Sequence, residues 1–147
     1  MMLSNFSADL AAAKEAEQIV KNAIAAAGYQ VLDVADQPEF YHRGDLQITL
    51  STGELRYVEV KDDSRIFDTR NILCEEEVYY KESGRLVPGN MHSNYDIYAV
   101  VSKKENLIYF FDFSKLKEIY KRFGTFKRIN HPEQYSDCYL LELCRAI

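Results

Sequence analysis

The stretch from Asp45 to Lys61 constrains the fold more than any other part of the sequence. It contains two alternating runs, LQITL and LRYVEVK, around the turn sequence STGE. A two-residue turn would mix apolar and charged residues on each face of the hairpin. A three-residue loop at 51–53, with its glycine in a left-handed conformation, separates the faces, and this separation fixes strand register. We therefore predict a hairpin in which Asp45 lies opposite Glu59.

In this register the two faces of the hairpin differ in chemistry. One face carries apolar side chains together with Arg56: Leu46, Ile48, Leu50, Val58 and Val60. The other face carries polar and aromatic side chains and both carboxylates: Asp45, Gln47, Thr49, Tyr57, Glu59 and Lys61. Opposed Cβ atoms in such a pair lie about 5 Å apart, so the two carboxylates repel each other.

A divalent cation removes this repulsion. Mg²⁺ favours one or two carboxylates, keeps several waters and accepts a substrate phosphate as a further ligand. Lys61 projects from the same face as Glu59, at the next pleat, where an ammonium group orients a water and offsets negative charge on a phosphoryl group. Asp45, Glu59 and Lys61 therefore predict metal-dependent hydrolysis of a phosphodiester, with Mg²⁺ or Mn²⁺ as cofactor.

An alanine-rich segment near the start of the sequence predicts a helix from about Ser7, a residue that suits an N-cap, to Gly28, which suits a helix stop. Its apolar stripe passes through Glu17, whereas Glu15 points to the opposite side. Two interpretations of Glu17 stay open. Either its stem packs at the edge of the core while its carboxylate reaches solvent, or the carboxylate points into a polar site at the edge of the sheet.

A second helix is predicted with Asp68 or Thr69 as its cap and Gly84 as its stop. Glu75 on this helix is a candidate additional acid, although the glutamates at 75–77 also suit a solvated acidic turn. The remaining predictions are a loop at 84–94 and strands at 95–101 and 107–113. A helix capped by its first residue follows at 114–123, and a final strand lies at 139–144.

Composition limits the organisation and the location of the chain. With 147 residues and 47% hydrophobic content, we expect one domain that spans residues 1–147. No apolar run approaches the roughly 18 residues of a membrane span, and the N-terminus lacks the pattern of a secretory signal. We therefore expect a cytoplasmic protein that does not associate with a membrane.

Charge is distributed unevenly along the chain. The net charge is −5, but residues 1–102 hold 9 Lys+Arg against 17 Asp+Glu, giving −8, and residues 103–147 hold 9 against 6, giving +3. The basic segment contains candidate contacts to nucleic-acid phosphates: Lys115, Lys121, Arg122, Lys127 and Arg128. A solvated helix face is the other interpretation of this cluster.

The order of these features resembles the PD-(D/E)xK nuclease superfamily, whose fold is restriction-endonuclease-like. The resemblance covers about residues 7–123 and rests on the first helix, Gly44-Asp45 before the hairpin, and Glu59-Val60-Lys61 at its end. The stretch from Lys61 to Glu75 is similar to the phage-type, Holliday-junction-resolvase-like branch. Gly44 departs from the nominal motif, which has Pro at this position.

This resemblance implies a three-layer α/β/α fold with a central mixed sheet and an αβββαβ core. It implies an endonuclease or exonuclease in which Asp45, Glu59 and the Val60 carbonyl bind the metal, Lys61 acts on the attacking water, and Glu17 completes the site. The implied substrate is DNA, and RNA stays open because metal and phosphate chemistry does not read the sugar. Two-strand cleavage or junction resolution would also imply a homodimer.

A second function suits the same sequence. A nuclease-like fold that no longer cuts would act as a protein-binding module, and an acidic surface would mimic DNA. The repulsive pair of Asp45 and Glu59 favours the enzyme, because a module that does not cut gains nothing from it.

Overall fold

The computed structural model describes residues 2–40 and 43–146, with side chains from Asp9 onward. Its helices and strands, in chain order, are α1 (Met2–Ala26), β1 (Gln30–Asp33), β2 (Leu46–Thr49), β3 (Leu55–Asp62), α2 (Ile66–Thr69), β4 (Asn71–Tyr80), β5 (Arg85–Pro88), β6 (Ile97–Ser102), β7 (Leu107–Asp112), α3 (Phe113–Phe123), β8 (Thr125–Asn130), β9 (Gln134–Glu142) and α4 (Leu143–Ala146). Short 3-10 helices lie at Pro38–Phe40 and Asn90–His92. None of the helices in these ranges has the length and apolar character that crossing a membrane requires.

The first sheet has the strand order β1-β2-β3-β6-β7 and is mixed. Strands β3 and β6 run parallel, and the other neighbours are antiparallel. Helix α1 covers one face of this sheet, where Val20 and Ile24 pack against Leu46, Val58 and other apolar side chains. The mixed α/β class predicted from the sequence is confirmed.

Strands β2 and β3 pair in the predicted register. Leu46 lies opposite Val58. The N–H of Leu50 donates to the carbonyl of Glu54 over 2.8 Å, which closes a three-residue loop. Gly53 in that loop has a φ of 90°, a conformation that favours glycine. The separation of apolar and polar faces therefore predicted the pairing correctly.

The predicted second helix is wrong, because residues 71–80 form strand β4. Its alternation of buried and exposed side chains is interrupted by a β-bulge between Glu75 and Glu77. The extra residue shifts the phase of the strand, so that Ile72 and Tyr79 fall at a spacing that mimics a helix. Glu75 accordingly lies on a strand.

Strand β4 belongs to a second, antiparallel sheet of order β5-β4-β9-β8, which the sequence did not predict. This sheet and α3 form the layer opposite α1. Ile72 and Leu141 of the second sheet pack with Tyr98 and Phe111 of the first sheet and with Leu116 of α3. The third layer is therefore built from a sheet and one helix instead of two helices.

Other elements differ from the prediction in their bounds. Helix α1 begins at Met2, strand β5 lies in the segment predicted as a loop, and strand β9 begins at Gln134. Asp112 caps α3, two residues before Ser114, which the sequence predicted as the cap. Its Oδ1 accepts hydrogen bonds from the N–H groups of Ser114 and Lys115, over 3.0 and 3.4 Å.

Gly44 brings the start of the hairpin close to strand β3. Its φ is 125°, and a Cβ at this position would lie 2.6 Å from the carbonyl oxygen of Val58. Proline fixes φ near about −65°, so this conformation also excludes the residue that the nominal motif has here. The backbone conformation therefore explains why glycine, and not proline, precedes Asp45.

Replacing Gly44 with alanine should destabilise the protein more than the same change at Gly53. Gly53 has positive φ with nothing within 4 Å of an added Cβ, so Gly53→Ala carries only the backbone penalty, about 1 kcal/mol. Gly44→Ala adds a collision with backbone and should cost about 3 kcal/mol. Urea unfolding of both variants measures this difference, and equal losses would contradict it.

Candidate active site

Asp45 is held by its backbone and by its side chain. Its N–H donates to the carbonyl of Val58 over 2.8 Å, and its carbonyl accepts from the N–H of Val34 over 2.9 Å. Its Oδ2 accepts a hydrogen bond from the N–H of Val60 over 2.9 Å. The carboxylate therefore lies against the middle of the Glu59-Val60-Lys61 motif.

Glu59 and Lys61 project from the same face of β3, because successive side chains alternate along a strand. Val60 lies between them in the sequence and Val58 precedes Glu59, and both valines are buried on the α1 side. Oε2 of Glu59 lies 3.2 Å from Nζ of Lys61, and the Glu59 side chain is only 12% exposed. The acid and the amine of the motif therefore form an ion pair beside Asp45, in which the acid is shielded and the amine is partly exposed.

Asp45 and Glu59 lie in contact as the register predicts. Burial raises the pKa of Asp45 well above its ordinary value, and a hydrogen bond with Glu59 and the charge of Glu59 raise it further. The N–H of Val60 opposes this shift, and the charge of Glu17 adds to it. Two carboxyl groups in direct contact hold a proton or a cation more readily than either group would alone.

Lys61 keeps its positive charge in this setting. Burial lowers the pKa of Lys61, but the charges of Glu59, Asp45 and Glu75 more than offset that effect, and the pKa is raised. An ammonium with a raised pKa stabilises negative charge and orients a water, whereas it does not accept a proton near neutral pH.

Glu17 is buried on α1, with 8% of the residue exposed. Its Oε2 has no hydrogen-bond partner, although Nζ of Lys14 lies 3.6 Å away. Burial raises the pKa of Glu17, and the charge of Lys14 opposes that shift. Of the two interpretations, the structure favours an acid directed inward, close enough to Asp45 to raise the pKa of that group.

Glu75 reaches the site from strand β4. It lines a cavity of about 390 Å³ together with Lys61, Asn90 and Tyr98. Its charge contributes to the raised pKa of Lys61, which places the two groups near each other. The neighbouring Glu76 turns away toward α3, where it accepts from Tyr120.

Two further residues of the site were missed by sequence reasoning. Burial and the charge of Glu59 raise the pKa of Tyr95, so its hydroxyl stays protonated beside that carboxylate. Nδ2 of Asn90 donates to the hydroxyl of Tyr98 over 3.2 Å, while Oδ1 of Asn90 is buried without a partner. Both residues lie between β5 and β6. Asn90 falls in the predicted loop 84–94 and Tyr95 at the first position of the predicted strand 95–101, and neither position carried a motif that pointed to the site.

The predicted basic contacts are divided between two elements. Lys115, Lys121 and Arg122 lie on α3, whereas Lys127 and Arg128 lie on strand β8. Nζ of Lys121 is 2.8 Å from Oε1 of Glu76, and Nε of Arg128 is 2.6 Å from Oδ1 of Asp137. Two of the five cations are therefore already paired with acids of the protein.

The arrangement suits a cation held by two carboxylates. Across residues 2–40 and 43–146, no three His, Cys, Asp or Glu side chains lie together as a complete metal cage. Mg²⁺ does not need one, because one or two carboxylates with waters and a substrate phosphate complete its octahedron. The contact between Asp45 and Glu59, and the Oε2 of Glu17 that accepts no hydrogen bond among the described residues, fit such an ion, because each offers carboxylate oxygens to a cation.

Comparison with protein-family models and with curated proteins found no match. Among solved structures the chain is similar to a bacterial homing endonuclease, I-Ssp6803I, with a TM-score of 0.54. The two share 18% sequence identity, over 88% of this chain and 76% of that chain. The chain therefore has a restriction-endonuclease-like fold.

Proposed function

We propose that this protein is a Mg²⁺- or Mn²⁺-dependent nuclease that hydrolyses phosphodiester bonds of DNA. The observation that carries the proposal is the contact between the half-buried carboxyl groups of Asp45 and Glu59, with the ammonium of Lys61 3.2 Å from Glu59. The fold shared with a homing endonuclease supports it.

Asp45 and Glu59 would hold the metal ion, with the backbone carbonyl of Val60 as a further ligand. The bound ion would polarise the scissile phosphate and lower the pKa of a water. The N–H of Val60 fixes the Asp45 carboxylate at 2.9 Å, so the ligands are oriented before substrate binds. The ligand set is thus small and rigid.

Lys61 would orient the attacking water and stabilise the charge that develops on the phosphoryl oxygens. It remains protonated because the surrounding acids raise its pKa. Glu17 and Glu75 would act from a greater distance, by adding negative charge that attracts the cation. The hydroxyl of Tyr95 would keep Glu59 in place. Phosphate contacts would come from Lys127 on β8.

A catalytically silent protein-binding module is the second candidate. The feature that favours it is the excess of acidic residues, 17 against 9 basic residues in the first 102 positions, which gives that part of the chain a charge of −8. Such a surface attracts basic proteins and repels DNA at low ionic strength. The two candidates differ in whether the chain cuts, so cleavage separates them.

Cleavage should require the metal ion and the three motif residues. On a labelled panel of single-stranded, duplex, flap and four-way-junction DNA, with RNA alongside, we expect cleavage in Mg²⁺ or Mn²⁺ and none in EDTA. Asp45→Asn, Glu59→Gln and Lys61→Ala should each lower the rate by about 10²-fold or more, since each removes charge from the reacting centre.

Glu82→Gln is the matched control, because Glu82 is an exposed carboxylate in the turn between β4 and β5. It should cut at the wild-type rate. A rate that survives all three motif substitutions would show that the site lies elsewhere. A wild-type protein that cuts nothing in the panel would instead favour the binding module.

The metal-free protein should lose stability as the pH rises from about 5 to about 8. The pKa of Asp45 is raised in the folded state, so the folded protein binds more protons than the unfolded chain above the ordinary Asp pKa. Stability from this group is therefore present at low pH and lost as the pH rises through the raised pKa. Thermal unfolding in EDTA measures the effect.

Asp45→Asn should flatten this pH profile, because the amide carries no charge to repel Glu59. Mn²⁺ should restore stability to the wild type at high pH and should have little effect on Asp45→Asn. Parallel pH profiles for the two proteins would contradict the assignment of the repulsion to this pair.

A further inference from the structure

A groove leads from the candidate active site onto the second sheet. The cavity beside Lys61 and Glu75 shares Asp63, Arg65 and Leu73 with a second cavity of about 350 Å³. We call this second cavity the β8 groove and define it by six of its lining residues: Arg65, Asn71, Leu73, Lys127, Ile129 and Leu140. Because the same three residues line both cavities, the two cavities lie side by side.

The β8 groove lies on the face of the second sheet that points away from α3. Leu73 and Leu140 are directly opposed across β4 and β9, as are their neighbours Cys74 and Tyr139. The ring of Tyr139 contacts Tyr120 of α3, with 5.7 Å between centroids. Since side chains alternate along a strand, Leu73 and Leu140 face the other side. The cations of α3 and the β8 groove are thus on opposite sides of the sheet.

One row of residues crosses the sheet from the candidate acid to a lysine. Glu75 lies opposite Cys138, and Cys138 lies opposite Lys127. Neighbouring strands are about 4.8 Å apart, so the backbone at Lys127 is about 10 Å from the backbone at Glu75. A strand bound beside Lys61 therefore passes close to Lys127.

The β8 groove contains two cations that form no strong ion pair with the described residues. The Arg65 side chain is 84% exposed, and its Nε is 3.9 Å from Oδ1 of Asp63, which makes a loose surface pair of little energetic weight. Lys127 forms no ion pair or side-chain hydrogen bond within the described part of the chain. Arg128, in contrast, is bound by both carboxylate oxygens of Asp137, over 2.6 and 3.0 Å.

The remaining lining suits the rest of a nucleotide. Leu73, Ile129 and Leu140 provide apolar surface, and Asn71 and Asn130 also line the cavity. Cations bind phosphates, an apolar floor accepts a sugar or base, and amides donate to or accept from base edges. Asp63 is the one carboxylate in this lining, and it is occupied by the N–H of Arg65 over 3.0 Å.

We propose that the β8 groove carries the DNA strand adjacent to the scissile phosphate, with Arg65 and Lys127 bound to its phosphates. The proposal rests on the proposed nuclease function, since it starts from DNA bound at Lys61. It assigns the DNA path to the second sheet and to Arg65, a residue outside the basic segment of the sequence. The cations of α3 lie outside this path.

The test is binding of a fluorescein-labelled oligonucleotide, single-stranded and as a duplex, followed by anisotropy in EDTA so that no cleavage occurs. The variant is the double substitution Arg65→Gln and Lys127→Gln. The matched control is Lys115→Gln with Arg122→Gln, which removes the same charge from α3. Thermal unfolding of both doubles checks that these substitutions leave the fold unchanged.

The groove double should bind about tenfold more weakly near 0.15 M salt. Its slope of log affinity against log salt should fall by about 1.4 on single strands or about 1.8 on duplex, as expected for two lost phosphate contacts. The α3 double should bind like the wild type. Equal losses in the two doubles, a loss confined to the α3 double, or no DNA binding by the wild type would overturn the proposal.

This readout separates the DNA path from the catalytic proposal. A protein that binds through Arg65 and Lys127 but cuts nothing would keep the path and refute the nuclease. A protein that cuts with Asp45 and Glu59 but binds DNA independently of Arg65 and Lys127 would keep the nuclease and refute the path.

Discussion

The close approach of Gly44 to the carbonyl of Val58 determines where the two carboxylates meet. A side chain at position 44 would collide with that carbonyl, and the N–H of Asp45 donates to the same oxygen over 2.8 Å. The chain therefore enters strand β2 in a single position relative to β3. Because β3 also carries Glu59 and Lys61, one backbone contact fixes the distance between groups that lie 14 and 16 residues apart in the sequence.

This arrangement is unfavourable for stability in the absence of a cation. Burial and the contact with the carboxyl group of Glu59 raise the pKa of Asp45, whereas the N–H of Val60, the ammonium of Lys61 and the hydroxyl of Tyr95 partly offset the repulsion between the two groups. A fold that needed only to be stable would gain by replacing one of the acids with an amide. The repulsion is thus better explained by a cationic ligand than by packing.

The sequence predicted the hairpin and its site because both depend on a local rule. Period-two alternation with one glycine turn left a single register that separated the faces, and that register placed Asp45 against Glu59. The same reasoning failed at β4, since one bulged residue changes the apparent period, and Glu75 was then assigned to a helix. Tyr95 and Asn90 were not predicted as site residues, because neither belongs to the hairpin motif and both reach the site through tertiary packing.

The second sheet also determines which cations of the basic segment are available to bind a polyanion. Counted along the sequence, the basic segment from 103 onward has a charge of +3, yet Lys121 is paired with Glu76 and Arg128 with Asp137. A cation already bound by a shielded acid gains little from a phosphate, because it must first give up that partner. Within the described part of the chain, Lys127 forms no ion pair and Arg65 forms a loose one with Asp63, and the two cations lie 62 positions apart in the sequence. The capacity to bind a polyanion therefore depends on which cations remain unpaired on one face of the protein. A chain with a net charge of −5 can have such a face.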